Sequence, residues 1–142
     1  MISGLVIRGR PIKVRHGEGH AFAVRIRDHE LVVDQPRGSG GGDSGPTPTE
    51  LFVASLAACV AHYGHQFLTG HGLSEDIAVE VDWSVDLGAE RVAEMVLRVA
   101  APAISPELTG AFQAALERCL VHNSLRTAPT VGIEIATVVG PA

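Results

Sequence analysis

Apolar residues recur along this chain with two distinct periods. Phe22, Val24 and Ile26 alternate with Ala23, Arg25 and Arg27, the two-residue period of a half-buried strand. Leu31 to Val33 continues in the same style, and Gly17 to Gly19 interrupts the preceding stretch as a turn. The first 35 residues therefore read as strands. The cleanest alternation comes later, where Ile77, Val79, Val81, Trp83 and Val85 face away from Ala78, Glu80, Asp82, Ser84 and Asp86. Met95, Leu97 and Val99 repeat the pattern, with Gly88 to Glu90 as the turn between the two strands. Val131, Ile133 and Ile135 predict a closing strand.

Two stretches break the alternation and predict helices. The first opens at Thr47-Pro48-Thr49-Glu50, with Thr47 as N-cap and Pro48 as first helical residue. Glu50 is placed to reach back to the Thr47 N–H, which makes a capping box. From Leu51 to Ala61 the helix is apolar on every side, the mark of a buried helix, and it is expected to end near Gly70 or Gly72. The second starts at Ser105-Pro106-Glu107. Leu108, Ala111, Phe112, Ala115, Leu116, Cys119 and Leu120 fall on one face of it, which predicts Cys119 on the core side. Strands, buried helix, two strands, amphipathic helix and strand make an α+β domain with antiparallel sheets, expected as a single domain over residues 1–142.

Composition narrows the chemistry. A net charge of −5 argues against a nucleic-acid partner. Met1 to Arg10 holds no apolar stretch long enough for a signal peptide, and Leu51 to Ala61 is too short to span a bilayer. The expectation is a cytoplasmic protein with no membrane partner. Gly-rich Arg37 to Gly45 lacks the Lys-Ser/Thr ending of a phosphate-binding loop.

Two cysteines are too few for a secreted disulfide framework, so Cys59 and Cys119 are either core residues or reactive thiols. A thiolate can attack the O–O bond of a peroxide and become a sulfenic acid, which a second thiol converts to a disulfide. An outside thiol must then reduce that disulfide. The cycle uses no metal and no bound cofactor. A rival reading pairs Cys59-x-x-His62 with Cys119-x-x-His122 as four zinc ligands, although the first pair lies inside an apolar helix rather than in a turn. A third keeps both cysteines in the core of a non-enzymatic dimer that binds a small apolar ligand. His62 and His65 also fit a helix emerging toward solvent, and His122 and Asn123 fit a helix C-terminus.

The run Gly45-Pro46-Thr47-Pro48-Thr49-Glu50-Leu51-Phe52-Val53-Ala54-Ser55-Leu56-Ala57-Ala58-Cys59 resembles the signature of the OsmC/Ohr superfamily, in which a Gly-rich loop leads into a buried central helix with Ala-Ala-Cys in its middle. Arg118-Cys119-Leu120-Val121-His122-Asn123 is similar to the second cysteine segment of that family. The resemblance implies an intertwined homodimer with an active site at the subunit interface. It implies organic hydroperoxides as substrates, Cys59 as the attacking thiol and Cys119 as the resolving one. It further implies a thiol or lipoyl-type dithiol as reductant. The family's hydroperoxide reductases place a glutamate directly after the proline that opens the helix, and an arginine in an early strand. Here Thr49 stands in the glutamate's place and Glu50 comes one later. The early region reads His16-Gly17-Glu18-Gly19-His20, flanked by Arg15 and Arg25. The activating Arg–Glu pair is not matched, and His62, His20, Arg15, Arg25, Thr49 and Glu50 remain the auxiliary candidates.

Overall fold

The computed structural model describes residues 4–137. They fall into two compact units, one of Met1–Ser55 with Trp83–Met95 and one of Leu56–Asp82 with Val96–Ala142.

In the first unit, β1 (Lys13–His16), β2 (Phe22–Ile26) and β3 (His29–Val33) form an antiparallel sheet in chain order. Lys13 lies opposite Arg25 and His16 opposite Phe22. The β1–β2 turn is closed by Gly17 N–H donating to the Ala21 carbonyl at 2.8 Å, with Gly19 in the left-handed region. The β2–β3 connection is a two-residue loop, because Ile26 pairs with His29. Arg27 takes its first position with φ +54, where a side chain costs on the order of 1 kcal/mol relative to glycine.

The Gly-rich stretch after β3 is a folded loop rather than a linker. Asp34 is 3% exposed, and its carboxylate accepts from Gln35 N–H at 2.7 Å, Gly42 N–H at 3.2 Å, Ser44 N–H at 3.1 Å and the Ser44 hydroxyl at 2.7 Å. A Cβ at Gly41 would run into the Gln35 carbonyl, and one at Gly45 into the Val32 carbonyl. The glycines allow the loop to close this tightly on Asp34.

Helix α1 (Pro48–Gly70) opens as its sequence predicts. Thr47 N–H donates to Glu50 Oε1 at 2.8 Å, and Glu50 N–H to Thr47 Oγ1 at 3.1 Å. The helix closes in a Schellman motif: Gly72 at φ +62, with Leu73 N–H donating to the Leu68 carbonyl at 2.9 Å. The expectation of burial on every side is corrected. Val53, Leu56, Val60, Gly64 and Leu68 make one buried stripe, while Phe52, Ala54, Ala58 and His62 are exposed. Alanines on both faces conceal this amphipathicity in the sequence. By length and composition alone α1 could cross a membrane, but its buried stripe packs within the fold. A Cβ on Gly64, for example, would meet Ile77, Leu116 and Phe112.

Strands β4 (Ala78–Asp86) and β5 (Arg91–Ala100) pair as a hairpin. Asp86 Oδ1 accepts from Gly88 N–H at 2.9 Å and Ala89 N–H at 3.0 Å, which shapes the turn. Arg98 bridges Glu80 at 2.9 Å and Asp82 across the strands; these partners hold its guanidinium in the charged form, and the Arg98 contact pulls Asp82 down.

Two further expectations are corrected. The single helix over residues 105–120 is broken: α2 (Thr109–Leu116) ends three residues before Cys119, and α3 (Leu120–Arg126) begins after it. The closing strand is absent among the described residues. Val131, Ile133 and Ile135 are 78%, 87% and 89% exposed and have no strand partner. The alternation is real, but a strand also needs an edge to pair with.

Candidate functional site

The second unit brings the two cysteines together. Cys59 lies on α1 one residue before buried Val60 and is half-buried. Cys119 is fully buried at 0% exposure. Both are free thiols, and they are neighbours close enough for Cys59 to influence the titration of Cys119. In the same unit, Phe67 and Phe112 meet edge to face with centroids 5.3 Å apart, and Leu68 is fully buried. Burying such a leucine contributes roughly 2 kcal/mol.

Cys119 owes its position to the break between α2 and α3. It is the N-cap of α3, with φ −56 and ψ 127, and its Sγ accepts from the His122 N–H at 3.5 Å. A sulfur thus performs the task usually given to a serine or aspartate oxygen. Burial pushes the Cys119 thiol up from its ordinary value, and the neighbouring Cys59 adds to the effect. The N–H groups of His122 and Val121 pull the other way, and the rise prevails. Cys119 therefore favours its protonated form. The pair is asymmetric in exposure, with Cys59 half-buried and Cys119 sealed.

Of the auxiliary candidates, Arg15, His20, Arg25, Thr49 and Glu50 belong to the first unit and His62 to the second. Glu50 is engaged in the capping box. Nine residues separate it from Cys59 on the same helix, a rotation of roughly 180° that sets the two side chains on opposite faces. Thr49 is exposed in the first helical turn. Arg25 faces Glu30 at 3.9 Å with both groups in solvent, and Arg15 lies in β1 opposite Ala23. His20 lies against Gly40 of the Gly-rich loop. His62 follows Cys59 by one helical turn and is exposed, its ring edge-on to Tyr63 at 5.8 Å. His65 bonds Glu75 at 2.6 Å.

The zinc reading is corrected by the same geometry. Among the described residues no three His, Cys, Asp or Glu side chains converge as metal ligands, so the two Cys-x-x-His pairs do not form one site. His122 and Asn123 lie in the first turn of α3, not at a helix C-terminus. The capping role of Cys119 has no motif in the sequence, because no glycine or proline marks the break before it. Asp34 also escapes sequence reading, although an acid between Val33 and a Gly-Ser loop is the signal that could have found it.

A model of the OsmC-like protein family matches residues 40–134, more than half of the chain. No curated protein sequence matches significantly. Among solved structures, a Psychrobacter arcticus protein assigned to osmotic stress induction and detoxification response superposes with a TM-score of 0.74 at 19% identity, covering 84% of this chain and 91% of the other. An OsmC-like protein from Mycoplasma pneumoniae gives 0.71 at 17% identity, with 87% and 91% covered. An organic hydroperoxide resistance protein from Legionella pneumophila gives 0.66 at 22% identity, with 87% and 93% covered. These likenesses show the fold.

Proposed function

The chain belongs to the OsmC-like family, and on that premise we propose that it is a thiol-dependent peroxidase reducing organic hydroperoxides, with Cys59 as the attacking sulfur and Cys119 as the resolving one. The observation that carries this reading is the pairing of two free thiols, half-buried Cys59 and buried Cys119, as neighbours in one unit. The Legionella pneumophila protein of the same fold, an organic hydroperoxide resistance protein, supports the substrate class.

Cys59, as the thiolate, attacks the terminal oxygen of the hydroperoxide. The O–O bond breaks, the alkoxide leaves and takes up a proton as the alcohol, and Cys59 becomes a sulfenic acid. The Cys119 thiol then attacks the Cys59 sulfur, gives up its proton, and water leaves as the disulfide forms. An external thiol or lipoyl-type dithiol reduces that disulfide by exchange and restores both thiols.

The exposed face of α1, with Phe52 at 42%, and the exposed alternation at Val131, Ile133 and Ile135 support a homodimer in which a second copy covers apolar surface and pairs with the unpaired segment. The cytoplasm, with its thiol reductants, is the compartment that suits the cycle.

Free thiols counted before and after one equivalent of cumene hydroperoxide test the assignment. Loss of both thiols, with a Cys59–Cys119 disulfide recovered by peptide mapping, is the expected result. Unchanged thiols would favour the non-enzymatic binding protein instead.

A further inference from the structure

Six of the eleven Lys and Arg residues lie before Asp28, against one acidic residue, Glu18, in a chain whose net charge is −5. Four of them converge. Arg10, Pro11, Lys13, Arg25, Arg27 and Asp28, all exposed, line an open surface cleft of about 330 Å³ in the first unit.

This clustering runs against local stability in two ways. Lys13 and Arg25 are directly opposite across β1 and β2, a position where like charges repel. Arg27 occupies the left-handed region at the head of a two-residue loop, a place that favours glycine. Arg25 has one carboxylate, Glu30, at 3.9 Å in solvent. Among the described residues, Arg10, Lys13 and Arg27 have no carboxylate within ion-pair distance. A strained backbone and a repelling cross-strand pair meet at one cleft, and a polyanion bound there offsets the repulsion.

We propose that this cleft binds a phosphorylated small molecule through a diphosphate group. Guanidinium forks match phosphoryl oxygens in pairs. Four cations outnumber the two carboxylates beside them, Asp28 and Glu30, and a diphosphate meets the excess. Pro11 and the methylene stems of the arginines give the organic part of the ligand an apolar wall, and Asp28 at the cleft is placed to accept from a ligand hydroxyl. The cleft is formed by residues of the first unit alone.

Titration calorimetry of the full chain at low salt, with inorganic pyrophosphate and with ADP, tests it. Both are expected to bind, more weakly as salt rises. Arg27→Gly removes one fork and relieves the backbone, so it is expected to melt no lower than wild type while losing affinity about tenfold or more, the loss of one charge-assisted hydrogen bond. Arg8→Ala, outside the cleft, is expected to keep wild-type affinity. Absence of binding by wild type, wild-type affinity in Arg27→Gly, or an equal loss in Arg8→Ala would each overturn the proposal. So would binding confined to vesicles of phosphatidic acid, which would mark a lipid surface rather than a soluble ligand.

Discussion

Asp34 and Cys119 are the two most deeply buried titratable groups described, one in each unit, and their surroundings move them in opposite directions. Asp34 is drawn down to about 2, first by the Ser44 hydroxyl, then by the N–H groups of Ser44 and Gln35, against a smaller effect of burial. Cys119 is pushed up, first by burial and then by its Cys59 neighbour. Exposure differs little, at 3% and 0%. What differs is the supply of donors: four reach the carboxylate, while the thiol is offered weaker N–H bonds by a helix start. Burial alone penalises charge, and a sufficient set of donors reverses the penalty. The fully satisfied acid is therefore structural. The partly satisfied thiol favours its protonated form and must give up that proton when it attacks the Cys59 sulfenic acid.

The strongest way to break this comparison is Cys119→Ser. We expect the first equivalent of hydroperoxide still to be consumed, because Cys59 remains. Sustained turnover with a dithiol should fall on the order of 100-fold (roughly 2.7 kcal/mol in barrier), with Cys59 trapped at higher oxidation states. Undiminished steady-state turnover would remove Cys119 from the mechanism.

Asp34→Asn comes next. The amide sets a donor against the donors of Ser44 and Gly42, and we expect the melting temperature to drop on the order of 10 °C. The pH dependence sharpens the point. Asp34 has a depressed value, so its contribution is complete above its ordinary 3.8 and is lost as pH falls toward about 2. Cys119 has a raised value, so its contribution is complete below the ordinary 9.0 of a thiol and is lost as pH climbs beyond it. Melting curves across both ranges should show Asp34→Asn flattening the acid limb and Cys119→Ser the alkaline one. If both variants followed the wild-type limbs, the assigned directions would be wrong.

The smallest effect belongs to Glu50→Ala. Loss of the capping box should cost about 1 kcal/mol of stability and leave peroxide consumption within about twofold. Wild-type melting combined with a large loss of activity would return Glu50 to the active site.

Local features were legible in the sequence. The Thr47–Glu50 box, the end of α1 at Gly72 and the β4–β5 hairpin each depend on neighbouring residues, and each formed as read. Features set by distant contacts were not legible. The break before Cys119 is hidden because α2 and α3 continue one apolar period through it. The cradle of Asp34 joins residues up to ten apart through backbone donors, which carry no sequence label. The alternation at Val131 to Ile135 reads as a strand, but sequence cannot say whether the same chain supplies the neighbouring edge.

The sulfur cap on α3 bears on how this family would diverge. Serine is nearly the same shape as cysteine and is a preferred N-cap residue, so a single change at position 119 could preserve the helix while removing the resolving thiol. Descendants of such a chain would keep the architecture intact and lose the chemistry without a structural trace. Shared shape among these proteins therefore tracks ancestry, and the identity of one capping atom decides whether a given descendant can still complete a catalytic cycle.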